Sequence, residues 1–397
     1  MTAMTAASLV YPSWLLAAVL TAAAFRLVRL AATGRLSVRT PIDLPVGLIL
    51  LMIPVTLWAT ALPELTRVQA LRLLSGIGLY YAIANWGNTS QRLRLLLTGL
   101  LLAGAFLALT APFSVVWPIG KLPFIPPGWY ERFQTLLADS IHPNVLAGSL
   151  VLILPIALAW LLAGWSRMDW SERVFSGAVT LLLMGMLMLS QWRGAWMAAA
   201  VAIGLVLLLC FRRSWIWLAG LGAAGVAALV WLGLPQSFDS ILTANSTGGL
   251  ALREEIWSRA VMIIEDFPLT GIGMGSFPNV ADAMYPFSPV ASGTIHHAHN
   301  LFLQIAVDLG LLGLIAWLAI FVIITLMAVQ LLQKGRKNQE IRLRALGIGV
   351  VGSQSALFVH GLTDAVTWGM VRPAPLVWAV WGLAAAGWLI MRQKPGS

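Results

Sequence analysis

The side chains best suited to chemistry in this chain gather at His296-His297-Ala298-His299-Asn300, where a long polar stretch runs into a strongly apolar one. Titratable groups are costly to keep at a water–lipid boundary, so they are functional suspects there. Histidine, with an ordinary pKa of about 6.5, can accept a proton at neutral pH, and a well-placed one speeds proton removal by about 10² to 10⁴. His299 is therefore the candidate base, and Asn300 beside it can orient a hydroxyl. A structural histidine at the interface is the competing reading. His296 and His297 also invite a metal ion, but no cysteine and no carboxylate stands at ligand spacing beside them, so no metal site is assigned.

Two arginines are candidates for holding an anion. The periodicity predicts a helix over 252–266, with Ile256, Trp257, Ala260, Val261 and Ile264 on its apolar face. Glu255 and Arg259 are spaced for an i,i+4 ion pair, which gives Arg259 a structural task. Arg253 instead heads the stripe continued by Trp257, Ala260 and Ile264. An inward guanidinium there suits a phosphate, or, structurally, a carboxylate such as Glu254. Arg193 sits in the hairpin Gln191-Trp192-Arg193-Gly194 with Trp196 following. It either binds an anion or snorkels to the interface. Two arginines on one membrane face match the charge of a lipid diphosphate. Trp257, His297, Arg72 and Asn144 are further candidates for substrate contact. His142, Asp308, His360 and Asp364 are other polar groups near membrane depth, each able to line a cavity or to pair between helices. The run Gly271-Ile272-Gly273-Met274-Gly275 lacks the spacing and the preceding strand of a nucleotide loop, and reads with Pro268 as a sharp turn that lets backbone approach the substrate.

The frame that must position these groups is apolar: of 397 residues, 59% are hydrophobic and 10% charged. Apolar runs long enough to cross about 30 Å of hydrocarbon recur along the chain. Eleven are read, at 11–31, 43–62, 67–86, 93–112, 143–163, 173–191, 194–211, 214–234, 300–331, 343–367 and 373–391. Alternate loops collect 17 of the 25 basic residues, which places the N-terminus outside and the C-terminus inside. The expected fold is thus an all-α polytopic membrane bundle, one domain over 1–397, with a large outer-face loop at 235–299 between the eighth and ninth spans and a smaller interfacial one at 113–142. The net charge of +10 belongs to the inward loops and suits anionic lipid headgroups; no nucleic-acid motif accompanies it. The first span lacks a basic leader and reads as uncleaved. The single cysteine, Cys210, reads as a small buried hydrophobe.

Taken together, these stretches resemble the bacterial O-antigen ligase and O-antigen polymerase superfamily. His299-Asn300 followed by Gly310 and Gly313 is similar to its signature of a histidine, then Asn, Ser or Gln, nine residues and a G-x-x-G; Leu314 departs from the ligase pattern. Gln191-Trp192-Arg193-Gly194-Ala195-Trp196 resembles the family's S-R-G-A-W stretch with Trp192 in place of Ser. His142-Pro143-Asn144 and Arg253 with Trp257, leading into Pro268-Leu269-Thr270-Gly271-Ile272-Gly273, look familial too. The resemblance implies an inverting, metal-independent glycosyltransferase of the bacterial inner membrane that uses no cofactor. Its donor would be a glycan on undecaprenyl diphosphate at the periplasmic face. Its acceptor would be a growing lipid-linked chain for a polymerase, or the lipid A core of lipopolysaccharide for a ligase. Arg193 and Arg253 would then bind the diphosphate, and His299 would take the acceptor's proton. The alternative is a polytopic anion transporter, since the superfamily includes proteins once associated with bicarbonate uptake. A transporter would place its ionisable groups near the bilayer midplane, whereas here they collect at the outer boundary.

Overall fold

The computed structural model describes residues 15–35, 37–115, 117, 142–211, 213, 216, 220, 250–287, 295–368 and 374–393. Among them the elements are helical and no strand occurs. The helices are α1 Leu15–Thr33, α2 Asp43–Ala59, α3 Pro63–Trp86, α4 Ser90–Ser114, α5 Pro143–Gly164, α6 Trp170–Leu189, α7 Arg193–Cys210, α8 Leu250–Asp266, α9 Phe277–Met284, α10 Leu301–Lys337, α11 Ile341–Gly361 and α12 Ala374–Gln393. Among the described residues, six helical stretches are long and apolar enough to cross a bilayer: Ser90–Ser114, Pro143–Arg167, Trp170–Leu189, Arg193–Cys210, Leu301–Lys337 and Pro375–Gln393. The protein is therefore built as a multi-pass membrane protein. Helices also occupy the stretches expected at 11–31, 43–62, 67–86 and 343–367, with α2 too short to count by length alone. The span expected at 214–234 and most of the loop at 113–142 lie outside the described residues, although Trp117 is buried.

Helix α5 forms the centre, with Leu150, Ile153 and Leu154 fully buried, and α6, α7 and α11 pack around it. Close approach depends on small residues: a Cβ on Gly349 of α11 would stand 2.8 Å from the Ile156 backbone of α5. Such contacts matter in lipid, where apolar side chains gain little from meeting one another. Helix α6 is apolar on the wrong side for a water-soluble protein. Val174, Leu181 and Met188 point outward, while Ser176 and Thr180 are buried. At the opposite end from His142 and His360, a cleft of about 460 Å³ gathers Arg94, Arg167, Glu340 and Arg342 from three of the basic loops. Arg94 pairs with Glu172 there at 2.5 Å. Basic loops and histidines thus occupy opposite ends of the same bundle.

Two features shape the histidine end. First, α10 is not continuous. Gly310 adopts φ 71° and ψ 178°, a left-sided conformation that side chains disfavour, and the helix restarts beyond it. The turn Pro268–Gly275 enters this break. Ile272 N–H donates to the Val307 carbonyl at 2.9 Å and Leu311 N–H to the Pro268 carbonyl at 2.7 Å. A Cβ on Gly310 would lie 2.6 Å from the Leu269 carbonyl oxygen, and one on Gly271 (φ 63°) would lie 2.7 Å from the Asp308 backbone. These glycines therefore bring backbone to backbone within the protein, which corrects the reading that the turn at Gly271–Gly275 lets backbone approach a substrate. The reason is that the break strands α10 peptide groups, and the turn satisfies them.

Second, the described part of the large loop carries its own apolar cluster, in which Ile256, Ala260, Ile263, Phe277 and Ala281 pack over Val307 at the start of α10. The helix expected over 252–266 is Leu250–Asp266. Its buried stripe runs through Ile256, Ala260 and Ile263, while Val261, expected inward, is 42% exposed. A 3.6-residue repeat carries the 256–260–263 line past 261, and the partner surface is narrow enough to select only that line. Glu255 and Arg259 form the expected pair at a loose 3.9 Å.

Candidate functional site

Asp364 is the hub of the histidine end. It follows α11 in a short loop and is fully buried. Its Oδ1 accepts from Ala365 N–H at 2.8 Å and Val366 N–H at 3.1 Å, and its Oδ2 accepts from the Asn144 side-chain amide. Both histidines of the loop face it: His297 Nε2 lies 3.7 Å from Oδ1, and His299 Nδ1 lies 3.7 Å from Oδ2. Two peptide N–H groups, the Asn144 amide and two imidazoles surround the carboxyl, a setting that favours its charged form. A resident carboxylate is thus available to charge-stabilise a protonated imidazole.

The histidine run is bent so that alternate imidazoles converge. His299 has φ 47°, uncommon for a residue with a side chain, and its N–H donates to His297 Nδ1 at 3.1 Å. The two rings stand 4.1 Å apart. With Nδ1 accepting, neutral His297 carries its proton on Nε2, toward Asp364. Burial pushes His297 down to about 4, with Asp364 opposing, so this ring stays neutral at ordinary pH. His299 is only partly covered, and its Nδ1 is buried without a hydrogen-bond partner among the described residues.

A relay of amides fixes this bend. Ala298 N–H donates to Gln304 Oε1 at 2.7 Å, Gln304 Nε2 donates to Asp308 Oδ1 at 2.9 Å, and Trp368 Nε1 donates to Asp308 Oδ2 at 2.8 Å. Asp308 is therefore a buried strut between α10 and the loop that carries Asp364. Asn300 also has a structural task. Its Oδ1 caps α10 by accepting from Phe302 and Leu303 N–H, and its Nδ2 donates to the Leu362 carbonyl at 3.2 Å. Expected to meet a hydroxyl, it is occupied instead in tying the two helix ends together.

The arginines approach from two other elements. Arg253, in the first turns of α8, is partly buried; burial works against its charge and Asp364 works for it. Its field also acts on His297 and His360, so α8 brings it to the same end of the bundle. Trp257, one turn on, presents an indole Nε1 that is buried without a partner among the described residues. Arg193 opens α7 and is exposed. The following Gly194 packs so tightly on Thr363 that no Cβ would fit, which sets the first turn of α7 beside the Asp364 loop. Gln191, with φ 56°, makes the turn before it, and both polar atoms of its buried amide lack partners among the described residues. His142 caps α5 by accepting from Asn144 N–H at 3.2 Å and stacks edge-on against Trp192 at 5.6 Å.

Of the residues singled out in the sequence, the fold therefore gathers His297, His299, Arg253, Trp257, Asn144 and the start of α7 bearing Arg193. Arg72 is different: on α3 it is held by Gln69 at 3.3 Å, whose side chain packs under Gly275. Asp364 is what sequence reasoning undervalued. It looked like any polar group near a helix end, and only its buried peptide-lined seat marks it out. The absence of a carboxylate at ligand spacing also needs correcting, because Asp364 supplies one: ligand atoms of His297, His299 and Asp364 all lie within 4.8 Å of one another.

Fold and site together define a helical multi-pass membrane protein with a carboxylate-supported histidine and arginine at one end of the bundle. Residues 177–318, which hold Arg193, Arg253 and His299, match the family model described as O-Antigen ligase. This match supports a place in the O-antigen ligase and polymerase superfamily and a role in glycan transfer at a membrane; it gives the transporter alternative no support. No curated protein matches the chain.

Proposed function

We propose that the protein transfers or polymerises a glycan from an undecaprenyl-diphosphate donor onto a sugar hydroxyl, as an inverting enzyme of the bacterial inner membrane. The observation that carries this reading is the contact between His299 and buried Asp364 beside Arg253, at the end of the bundle away from the basic loops. On the charge rule that end faces the periplasm, with eleven spans, the N-terminus out and the C-terminus in, and the 235–299 segment as the outer loop.

In the reaction, the acceptor hydroxyl oxygen attacks the anomeric carbon from the face opposite the diphosphate. The new C–O bond forms as the bond to the diphosphate oxygen breaks, and the electron pair leaves with undecaprenyl diphosphate. The hydroxyl proton passes to His299 Nε2. Nδ1–H then points at Asp364, whose charge stabilises the imidazolium while it exists. Arg253 and Arg193 meet the charge gathering on the leaving diphosphate, the kind of electrostatic help that is commonly the largest catalytic term. Trp257 offers an aromatic face to a sugar. No metal enters this scheme, because the guanidinium groups meet the diphosphate's charge.

The test is accumulation of donor. Cells lacking the protein should build up a glycan on undecaprenyl diphosphate, and the wild-type gene should clear it while His299→Ala and Arg253→Ala, inserted at normal abundance, should not. Purified protein carrying both changes that still transfers glycan at the wild-type rate would overturn the assignment.

A further inference from the structure

The group His297, His299 and Asp364 has a second chemical capacity. Two imidazole nitrogens and one carboxylate oxygen, drawn from a bent loop and from the turn after α11, lie within 4.8 Å of one another. Around a zinc ion with ligands at about 2.0–2.2 Å, tetrahedral donors stand about 3.3 Å apart; each imidazole lies 3.7 Å from a different oxygen of Asp364, so seating both on one oxygen needs a contraction of up to about 1.5 Å from the 4.8 Å envelope. Nitrogen-rich donors select a borderline transition metal over Mg²⁺ or Ca²⁺, which want oxygen shells. We infer that His297, His299 and Asp364 form an inhibitory site for Zn²⁺ and related divalent transition metals, in which the ion on His299 Nδ1 holds that ring's proton on Nε2, so that Nε2 can no longer accept one.

Local structure argues for such a site and limits its strength. The loop is pre-bent by the positive φ of His299, and Asp364 is held in place by two peptide N–H groups. His299 Nδ1 is buried with no competing hydrogen bond among the described residues. Against this, coordination through His297 Nε2 sends that ring's proton to Nδ1, where it opposes the His299 N–H that Nδ1 now accepts. Three protein ligands and one lost hydrogen bond make the site weaker than a four-ligand structural zinc site. The ion therefore acts as a reversible brake. Binding stands on geometry alone, whereas inhibition rests on the proposed role of His299 as base.

The experiment uses the purified full-length protein in detergent, stripped with chelator and titrated with CoCl₂, whose visible d–d bands report tetrahedral coordination, with ZnCl₂ as competitor. One equivalent should bind. His297→Ala and Asp364→Asn should each weaken binding at least tenfold, while His296→Ala, on the exposed neighbour, should leave it unchanged. Should His297→Ala fail to fold, His297→Gln, which keeps volume and a polar end, serves in its place. In the glycan-transfer assay Zn²⁺ should inhibit wild type with a midpoint matching its binding constant. Absence of the cobalt bands, or equal loss in His296→Ala, overturns the site and leaves the glycosyltransferase reading untouched. Binding with no inhibition overturns the brake and, with it, His299 as the base.

Discussion

His299 Nδ1 faces Asp364 Oδ2 at 3.7 Å, across the junction between the start of α10 and the end of α11. The carboxylate is buried and peptide-bound, so it can orient and charge-support the imidazole without itself taking the proton. Replacing Asp364 by Asn removes the charge and sets an amide against Asn144. It should lower kcat by about 10–100-fold with KM little changed, and shift the pH–rate profile; His299→Ala should cost about 10² to 10⁴. Steady-state kinetics across pH checks both, and an unchanged profile in Asp364→Asn would show that the aspartate only holds the loop.

Arg253 is argued to meet a diphosphate through its planar fork. Arg253→Lys keeps one charge and loses the bidentate geometry, so it should recover only part of the activity lost in Arg253→Ala, by about tenfold. Binding of undecaprenyl diphosphate to the two variants, read by microscale thermophoresis, should fall in the same order. Equal binding by wild type and Arg253→Ala would remove the residue from the diphosphate site.

Gly310 admits the Pro268–Gly275 turn into α10. Gly310→Ala places a methyl 2.6 Å from the Leu269 carbonyl and forces a side chain into φ 71°. Loss of about 2–4 kcal/mol is expected, from strain plus the displaced Leu311 and Ile272 hydrogen bonds. A lower unfolding temperature and faster proteolysis of the 250–287 segment would register it. Gly99→Ala, where added volume meets nothing within 4 Å, is the control and should change neither.

Acid should weaken the fold through His297. Burial, partly opposed by Asp364, holds its folded pKa at about 4 against an unfolded value of 6.5. The unfolded chain therefore binds a proton first, and the neutral ring's contribution, complete above about pH 6.5, is lost as pH falls toward 4. His142, lowered chiefly by burial, acts in the same direction. Melting temperatures in detergent at pH 7.5 and 5 should differ more in wild type than in His297→Gln. A parallel pH dependence in the two would remove His297 as the cause.

The family scale of the protein was written in its linear order. Apolar runs predicted helices at α4 to α7, α10 and α12 because bilayer thickness fixes how long an apolar helix must be, and residue order alone meets that requirement. The i,i+4 pair of Glu255 and Arg259 was legible for the same reason: helical periodicity is local. His299 and Asn300 stood out because they begin an apolar run, although the capping task of Asn300 needed the position of Leu362 to become visible. Asp364 meeting two histidines, Asn144 holding that carboxylate, and the glycine turn entering α10 at Gly310 are contacts between distant segments. No local pattern encodes them. They follow from which helices touch and at what depth, and that is settled only when buried peptide groups and small residues across the whole bundle find partners together.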